Sequence, residues 1–151
     1  MNTDRCTFLI ARVGRERFAF DVAGIDEAAD AVALESVPQL PAGAMGLLRW
    51  RGVAHTVWSP ERALHVSVES PATVLFIRSG AGRVAVAVDD VEDLVTLPRS
   101  AIRALAGIDE GAGLVLGGIR VGNSFATVVD PGLLAGVLGG ARALAPPGSA
   151  R

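Results

Sequence analysis

The chain contains no lysine; all 14 of its basic residues are arginine. That removes the phosphate-cradling lysine of a P-loop, a Schiff-base lysine and a lysine general base. Tyrosine is absent too. A single cysteine, Cys6, leaves no internal disulfide to form and points to a reducing compartment. Charge of neither sign prevails: against 16 acidic residues the net charge is −2, so the broad positive field of a nucleic-acid binder is missing. The longest stretch without a formal charge, Ser36 to Leu48, is broken by Pro38 and Pro41. A membrane-spanning helix needs about 20 apolar residues without such breaks. The first residues, Met1 to Cys6, carry Asp4 and Arg5 and do not resemble a signal peptide. The expectation is a soluble, cytoplasmic protein.

What is present suits one domain. Half of the 151 residues are hydrophobic and only 5% aromatic, so the core must be Val, Leu, Ile and Ala. A chain of this length buries roughly 70% of the surface its unfolded form exposes. Eighteen glycines and eight prolines imply many turns.

Period-2 patterns dominate. Thr7 to Val13 and Phe18 to Val22 read as a hairpin turned over Gly14–Arg17, followed by a helical stretch from Ala23 to about Ala31. Val32 to Val37 is extended. Met45–Trp50 and Val53–Trp58 form a second hairpin turned at Arg51-Gly52, and Ser59-Pro60-Glu61 caps a short helix. Ala72–Arg78 with Arg83–Val88, and Leu114–Val121 with Ser124–Val129, are two further hairpins. Pro98 to Leu105 reads as a short helix. Asp130-Pro131 starts another that stops at Gly139-Gly140, and Ala143 to Arg151 reads as a frayed tail. About nine short strands with brief helices between them favour barrels over a parallel sheet.

Reactive constellations are missing. His55 and His65 lack the tight spacing of zinc ligands. Asp89 and Asp90 read as a solvated cap and turn. No serine sits in a Gly-x-Ser-x-Gly elbow. The glycines of residues 111–117 precede a strand, the wrong context for a phosphate loop.

The segments resemble the CheW-like domain family of bacterial chemosensory adaptors. Phe18-Ala19-Phe20-Asp21-Val22 followed by Ile25-Asp26-Glu27-Ala28 is similar to the family's second strand and its Val-x-Glu-Ile element. Val37-Pro38-Gln39-Leu40-Pro41 matches Leu-Pro-x-x-Pro. Gly46-Leu47-Leu48-Arg49-Trp50-Arg51-Gly52 matches the Gly-(apolar)₂-Asn-Leu-Arg-Gly signature, with Arg49 in place of Asn. In the strand that follows, Thr56, Ser59 and Pro60 replace the family's Pro, Asp and Leu. Val86-Ala87-Val88-Asp89 with Val91, and Val128-Val129-Asp130, look like the later marks.

The resemblance implies an all-β fold with short helices: two SH3-like five-stranded β-barrels sharing a core over residues 7–138, with 1–6 and 139–151 as flexible termini. It implies no catalysis and no cofactor or metal. The implied role is a scaffold between chemoreceptor hairpin tips and the regulatory domain of a CheA-type histidine kinase, cytoplasmic and recruited to membrane receptor arrays. The substitutions in the central signature leave open a divergent accessory protein lacking one usual contact. The alternative from another class is a small barrel binding nucleic acid, through Arg12, Arg15 and Arg17, or a small ligand.

Six residues stand out as partner-binding candidates. Arg51, beside Gly52 in a tight turn, suits a bidentate contact to a carboxylate, or else pairs within the chain with Glu27 or an Asp. Gly46 marks either a groove for a receptor helix or a bulge with positive φ. Ile25 reads either as a partner contact or as core. Arg49 completes the set.

Overall fold

The computed structural model describes residues 4–30, 34–80, 82–105 and 113–143. Strands β1 (Arg5–Val13) and β2 (Glu16–Asp21) lead through a 3-10 turn, Val22–Gly24, into β3 (Ile25–Asp30). The hairpin β4 (Ala44–Trp50) and β5 (Val53–Trp58) ends in α1 (Glu61–Leu64). The second half repeats this order: β6 (Thr73–Ser79), β7 (Gly82–Val88), β8 (Asp90–Pro98), β9 (Val115–Val121), β10 (Ser124–Val129) and α2 (Pro131–Ala143). Two five-stranded sheets result, ordered β8-β1-β2-β10-β9 and β3-β6-β7-β5-β4.

Strand periodicity sorts the apolar residues into three cores. Along β1, Cys6, Phe8 and Ile10 face inward and join Ala19, Ile119, Ala126 and Val128, one apolar set inside the first barrel. The alternate residues Leu9, Ala11 and Val13 face the other way. They meet Phe18 and Phe20, Leu75 and Ile77, Val86 and Val88, and Leu134 and Leu138 of α2 in a core shared by both sheets. Inside the second barrel lie Ala29, Leu48, Val57, Val74, Phe76, Ala85 and Ala87. The hairpins β1–β2 and β6–β7 are therefore buried on both faces, which is why they read as nearly continuous apolar runs.

The two barrels follow one plan, with hairpins exchanged between halves of the chain. Hairpin β1–β2 sits among β8, β9 and β10, whereas β6–β7 sits among β3, β4 and β5. Each barrel carries the same bulge where its first edge strand meets the hairpin: Glu92 is the extra residue between Val91 and Asp93, Asp26 between Ile25 and Glu27. Both bulged acids take two arginines from the hairpin. Glu92 lies 3.6 Å from Arg12 and 2.6 Å from Arg17; Asp26 lies 3.7 Å from Arg78 and 2.6 Å from Arg83. A second shared bulge places Met45 or Leu116 out of register.

Closure is also shared. Glu35 exchanges two backbone hydrogen bonds of 2.8 Å with Leu47, and Arg103 does the same with Gly118 at 2.9 and 2.8 Å. Each bridge runs over a glycine. A Cβ on Gly46 would lie 2.9 Å from the Glu35 carbonyl oxygen, and one on Gly117 2.5 Å from that of Arg103.

Several expectations are corrected. The helix expected from Ala23 onward does not form: the Asp21 carboxylate accepts the Ala23 N–H at 2.9 Å to start the 3-10 turn, and Ile25–Asp30 then pairs with β6. Pairing with an otherwise open sheet edge overrides the helix propensity of Ala and Glu. Strand β8 escapes the periodicity, because exposed acids interrupt its apolar face; only Arg99–Ala101 of the expected 98–105 helix is helical, as a 3-10 turn. The N-terminal boundary moves: β1 begins at Arg5 and Cys6 is buried. At the other end α2 runs through Gly139-Gly140 to Ala143; the remaining tail, 144–151, lies outside the described residues, as do residues 31–33 of the expected helix end and extended segment. The Asp130 cap holds, its Oδ1 accepting from Leu133 N at 3.1 Å, whereas the N-cap of α1 is Pro60 and Ser59, one residue earlier, accepts from Glu61 N at 3.1 Å through its Oγ.

Asp89 is not solvated. It is 2% exposed, and its carboxylate accepts backbone N–H groups from Gly14 (2.6 Å), Glu69 (2.9 Å) and Ser70. It thereby ties the β1–β2 turn to the loop before β6. Burial alone would raise its pKa, but these donors, with Arg12 nearby, hold the carboxyl below its ordinary range. A depressed folded value makes its stabilisation complete above the unfolded carboxylate pKa of ~3.9 and lost as pH falls through the lower folded value. Asp89→Asn should cost about 1–3 kcal/mol at neutral pH and flatten the acid limb of a stability-against-pH curve; urea melts between neutral pH and the acid transition test this. Gly46→Ala should likewise cost about 1–3 kcal/mol through strain at the closing bridge, against no more than about 0.5 kcal/mol for an exposed substitution such as Arg49→Ala, read from the same melts.

Candidate functional site

The inward-facing positions at one end of the second barrel are polar or aromatic where the rest of that face is aliphatic. Trp50 follows Leu48 on β4, His55 precedes Val57 on β5, Arg83 precedes Ala85 on β7, and Glu27 precedes Ala29 on β3. Glu27 gathers them. Its carboxylate accepts from Trp50 Nε1 at 3.0 Å, Arg51 Nη2 at 3.1 Å and Arg83 Nη1 at 3.0 Å. Since β3 and β4 are the two edges of this sheet, the Glu27–Trp50 bond closes the barrel by side chains. Partial burial would raise the pKa of Glu27, but Trp50, Arg51 and Arg83 together hold it below its ordinary value. It is a fixed anion at neutral pH.

Arg51 is held in an unusual backbone. Its φ is 53° and that of Gly52 is 82°, the two positive values of a type I′ hairpin turn, where Asn-Gly is the favoured pair. An arginine there costs roughly 1–2 kcal/mol against glycine, and such strain gathers at functional positions. The side chain is 69% exposed. One nitrogen reaches Glu27 and the guanidinium carbon lies 5.5 Å from the Trp50 ring. The rest of the fork faces solvent, oriented from beneath and able to receive a carboxylate in bidentate fashion.

The first barrel separates this chemistry from the needs of the fold. At the positions equivalent by register, Asp93 stands for Glu27, Val121 for Trp50, Gly122 for Arg51, Ala126 for His55 and Ile10 for Phe76. Among the described residues Asp93 binds the next backbone N–H, that of Leu94, at 2.8 Å. The same barrel is thus built without the Glu27 cluster.

Of the six candidates, the structure brings Glu27, Arg51 and Gly52 together. Arg49 is exposed on β4 and pairs with Glu35 at 3.3 Å. Ile25 lies on a strand and not on a helix, half-buried against the shared core. Gly46 is buried beneath Glu35 and presents no surface. Sequence reasoning passed over Trp50, His55, Phe76 and Arg83; the available signal was an arginine and a histidine in phase with the buried face of their strands. Among the described residues no group of three His, Cys, Asp or Glu side chains is placed to hold a metal ion, and no helix is long and apolar enough to cross a membrane.

The model of the CheW-like domain matches residues 7–137. None of the curated proteins matches the chain. Among solved structures, the scaffolding protein TtCheW from Thermoanaerobacter tengcongensis superposes with a TM-score of 0.71 at 13% identity, over 85% of this chain and 86% of that one. That likeness carries the fold: two β-sheet subdomains with few short helices. The family match carries the membership, because it spans both barrels and the turn that presents Arg51: this chain belongs to the CheW-like domain family of chemotaxis scaffold proteins.

Proposed function

We propose that this chain is a non-enzymatic adaptor that couples a chemoreceptor hairpin tip to the regulatory domain of a CheA-type histidine kinase, in the cytoplasm beneath receptor arrays, and that Arg51 is its principal contact. The observation that carries the reading is the strained, exposed Arg51 fork held from beneath by Glu27, in a barrel whose twin is built without it. Arginine is over-represented among the few residues that carry most of an interface's energy. Its planar fork matches a partner carboxylate in a way that a point charge does not. Gly52, exposed and with nothing within 4 Å of a Cβ, leaves room for a partner to approach the turn.

Arg49 is the internal control. It is as exposed as Arg51, 71% against 69%, and pairs with Glu35 in the same fashion, but its backbone is ordinary strand and, among the described residues, no aromatic ring lies beneath it. Truncating an interface hot spot costs roughly 2 kcal/mol or more, about 30-fold in affinity at 1.4 kcal/mol per tenfold. Arg51→Ala should therefore weaken kinase-domain binding about 30-fold, and Arg51→Glu by more, while Arg49→Glu changes it less than threefold. Exposed ion pairs contribute about 0–1 kcal/mol, so the melt of Arg51→Ala should move little. The measurement is a binding isotherm for each variant with the kinase regulatory domain and with a receptor hairpin fragment. Equal, small losses for both arginines would remove Arg51 as a specific contact, and a collapsed melt would make it structural.

A further inference from the structure

Strands β5 and β7 form the parallel pair of the second barrel, and they separate early. Only Val57–Ala85 and Trp58–Val86 are in register, whereas the equivalent pair in the first barrel also joins Thr127 to Phe18. The leading residues of β5, Val53 to Thr56, therefore pair with β4 alone. Between the parted strands lies a cleft of about 120 Å³ with Thr56, Val84 and Gly139 on its walls. A strand end held along one side opens locally at far less cost than the whole fold.

His55 sits on that strand end and carries an unpartnered group. Its Nε2 is buried with no hydrogen-bond partner, and its ring meets Phe76 edge-on at 4.9 Å. The same Phe76 ring carries the Arg83 guanidinium, 4.4 Å from its centre. A neutral imidazole tolerates this place. An imidazolium does not: its Nε2–H would lie buried without an acceptor, and a fixed cation already stands on the ring beside it. The first barrel has Ala126 at the equivalent position, so the architecture itself does not call for a histidine.

We propose that His55 is an acid-sensitive latch for this end of the barrel. Neutral, it stays packed on Phe76 and keeps the β4–β5 hairpin seated over Glu27. Protonated, it leaves the interior through the cleft between β5 and β7, and the free end of β5 opens. The hydrogen bonds that Trp50 and Arg51 give to Glu27 are then lost. The latch is independent of what Arg51 binds; its effect on a partner rests on the role proposed above for Arg51.

The pH range follows from the groups around the ring. Asp26 and Glu27 of β3, Arg51 after β4, Arg78 of β6 and Arg83 of β7 are the charged residues gathered at this barrel end, and α2 carries none from Pro131 to Gly139. Burial first, then Arg83, lowers the pKa of His55 below its ordinary value, and Glu27 opposes them in part. Glu27 is itself held below its ordinary carboxylate range and stays ionised while His55 titrates. Once released, the ring regains an ordinary histidine pKa of ~6.5. The open form thus binds the proton more tightly. Closure is most favoured above ~6.5, weakens by up to about tenfold per pH unit as pH falls, and levels off below the lowered value of the closed form.

The test follows the whole chain by NMR from about pH 7 to about pH 5, with the His55 ring titrated alongside. The Trp50 indole N–H reports the bond to Glu27, and the Ile119 methyl groups, buried inside the first barrel, report the rest of the fold. The proposal expects the Trp50 resonance to shift or broaden with the His55 midpoint, below ~6.5, while Ile119 stays in place. The step should vanish in His55→Leu, and also in His55→Ala, which copies the first barrel should the larger side chain disturb packing. Kinase-domain affinity is read as the ratio of wild type to His55→Leu at each pH, which cancels the partner's own titration. That ratio should fall by up to about tenfold per pH unit along with the Trp50 step. A Trp50 step with a flat ratio keeps the latch and removes Arg51 as the contact. A Trp50 resonance that ignores the His55 titration, one that moves together with Ile119, or a step that survives in both variants overturns the latch.

Discussion

Glu27 is the residue on which the second barrel and its surface both depend. A five-stranded sheet that curls on itself must join its two edges; here the edge strands β3 and β4 meet through the Glu27–Trp50 hydrogen bond, and Glu35, beyond the end of β3, bridges to Leu47 of β4. A carboxylate in that position is costly unless fully satisfied. Three donors from two segments, Trp50-Arg51 at the end of β4 and Arg83 on β7, satisfy it, and each donor is thereby fixed in place. Arg83 is locked across Phe76, Trp50 is turned so that its indole nitrogen points inward, and Arg51 is stretched along the barrel's end with most of its fork outward.

The exchange of hairpins explains why two such small barrels are stable together. Each alone has a modest interior: among the described residues, seven are buried in the first and seven in the second, several of them alanines. The larger apolar set lies between them, built from the outward faces of the exchanged hairpins and sealed by α2. Neither half of the chain can complete its barrel without the other, so the two cores and the shared one form as a single unit. The paired arginines on Glu92 and Asp26 recur at the matching bulges, where the extra residue turns a side chain outward that an unbroken ladder would have kept in register.

Much of this was legible in the residues. The tight turns at Gly14 and Gly52, the strands of the four hairpins and the cap at Asp130 are local features, and local rules found them. The exception among the local readings is instructive: Ile25 to Asp30 has helical composition and lies extended, because its backbone completes a sheet whose other strands come later in the chain. Asp89 likewise looked like a surface acid because its donors, Gly14 and Glu69–Ser70, are remote from it in sequence. The repeat between the halves escaped notice because few of the matched positions keep the same residue and the spacing between matched segments is not constant.

By itself the sequence determined that the chain is built of short strands and that an arginine stands in a turn meant for smaller residues. These follow from periodicity and from the steric demands of a two-residue turn, both of which act within a few neighbours. Tertiary structure alone decided which hairpin enters which barrel, that β3 is a strand, and that Glu27, Trp50, Arg51, His55 and Arg83 share one barrel end. The reason is physical: a strand's partners and a buried charge's donors are chosen by what the whole fold brings into hydrogen-bonding reach, and nothing in the spacing along the chain encodes that distance.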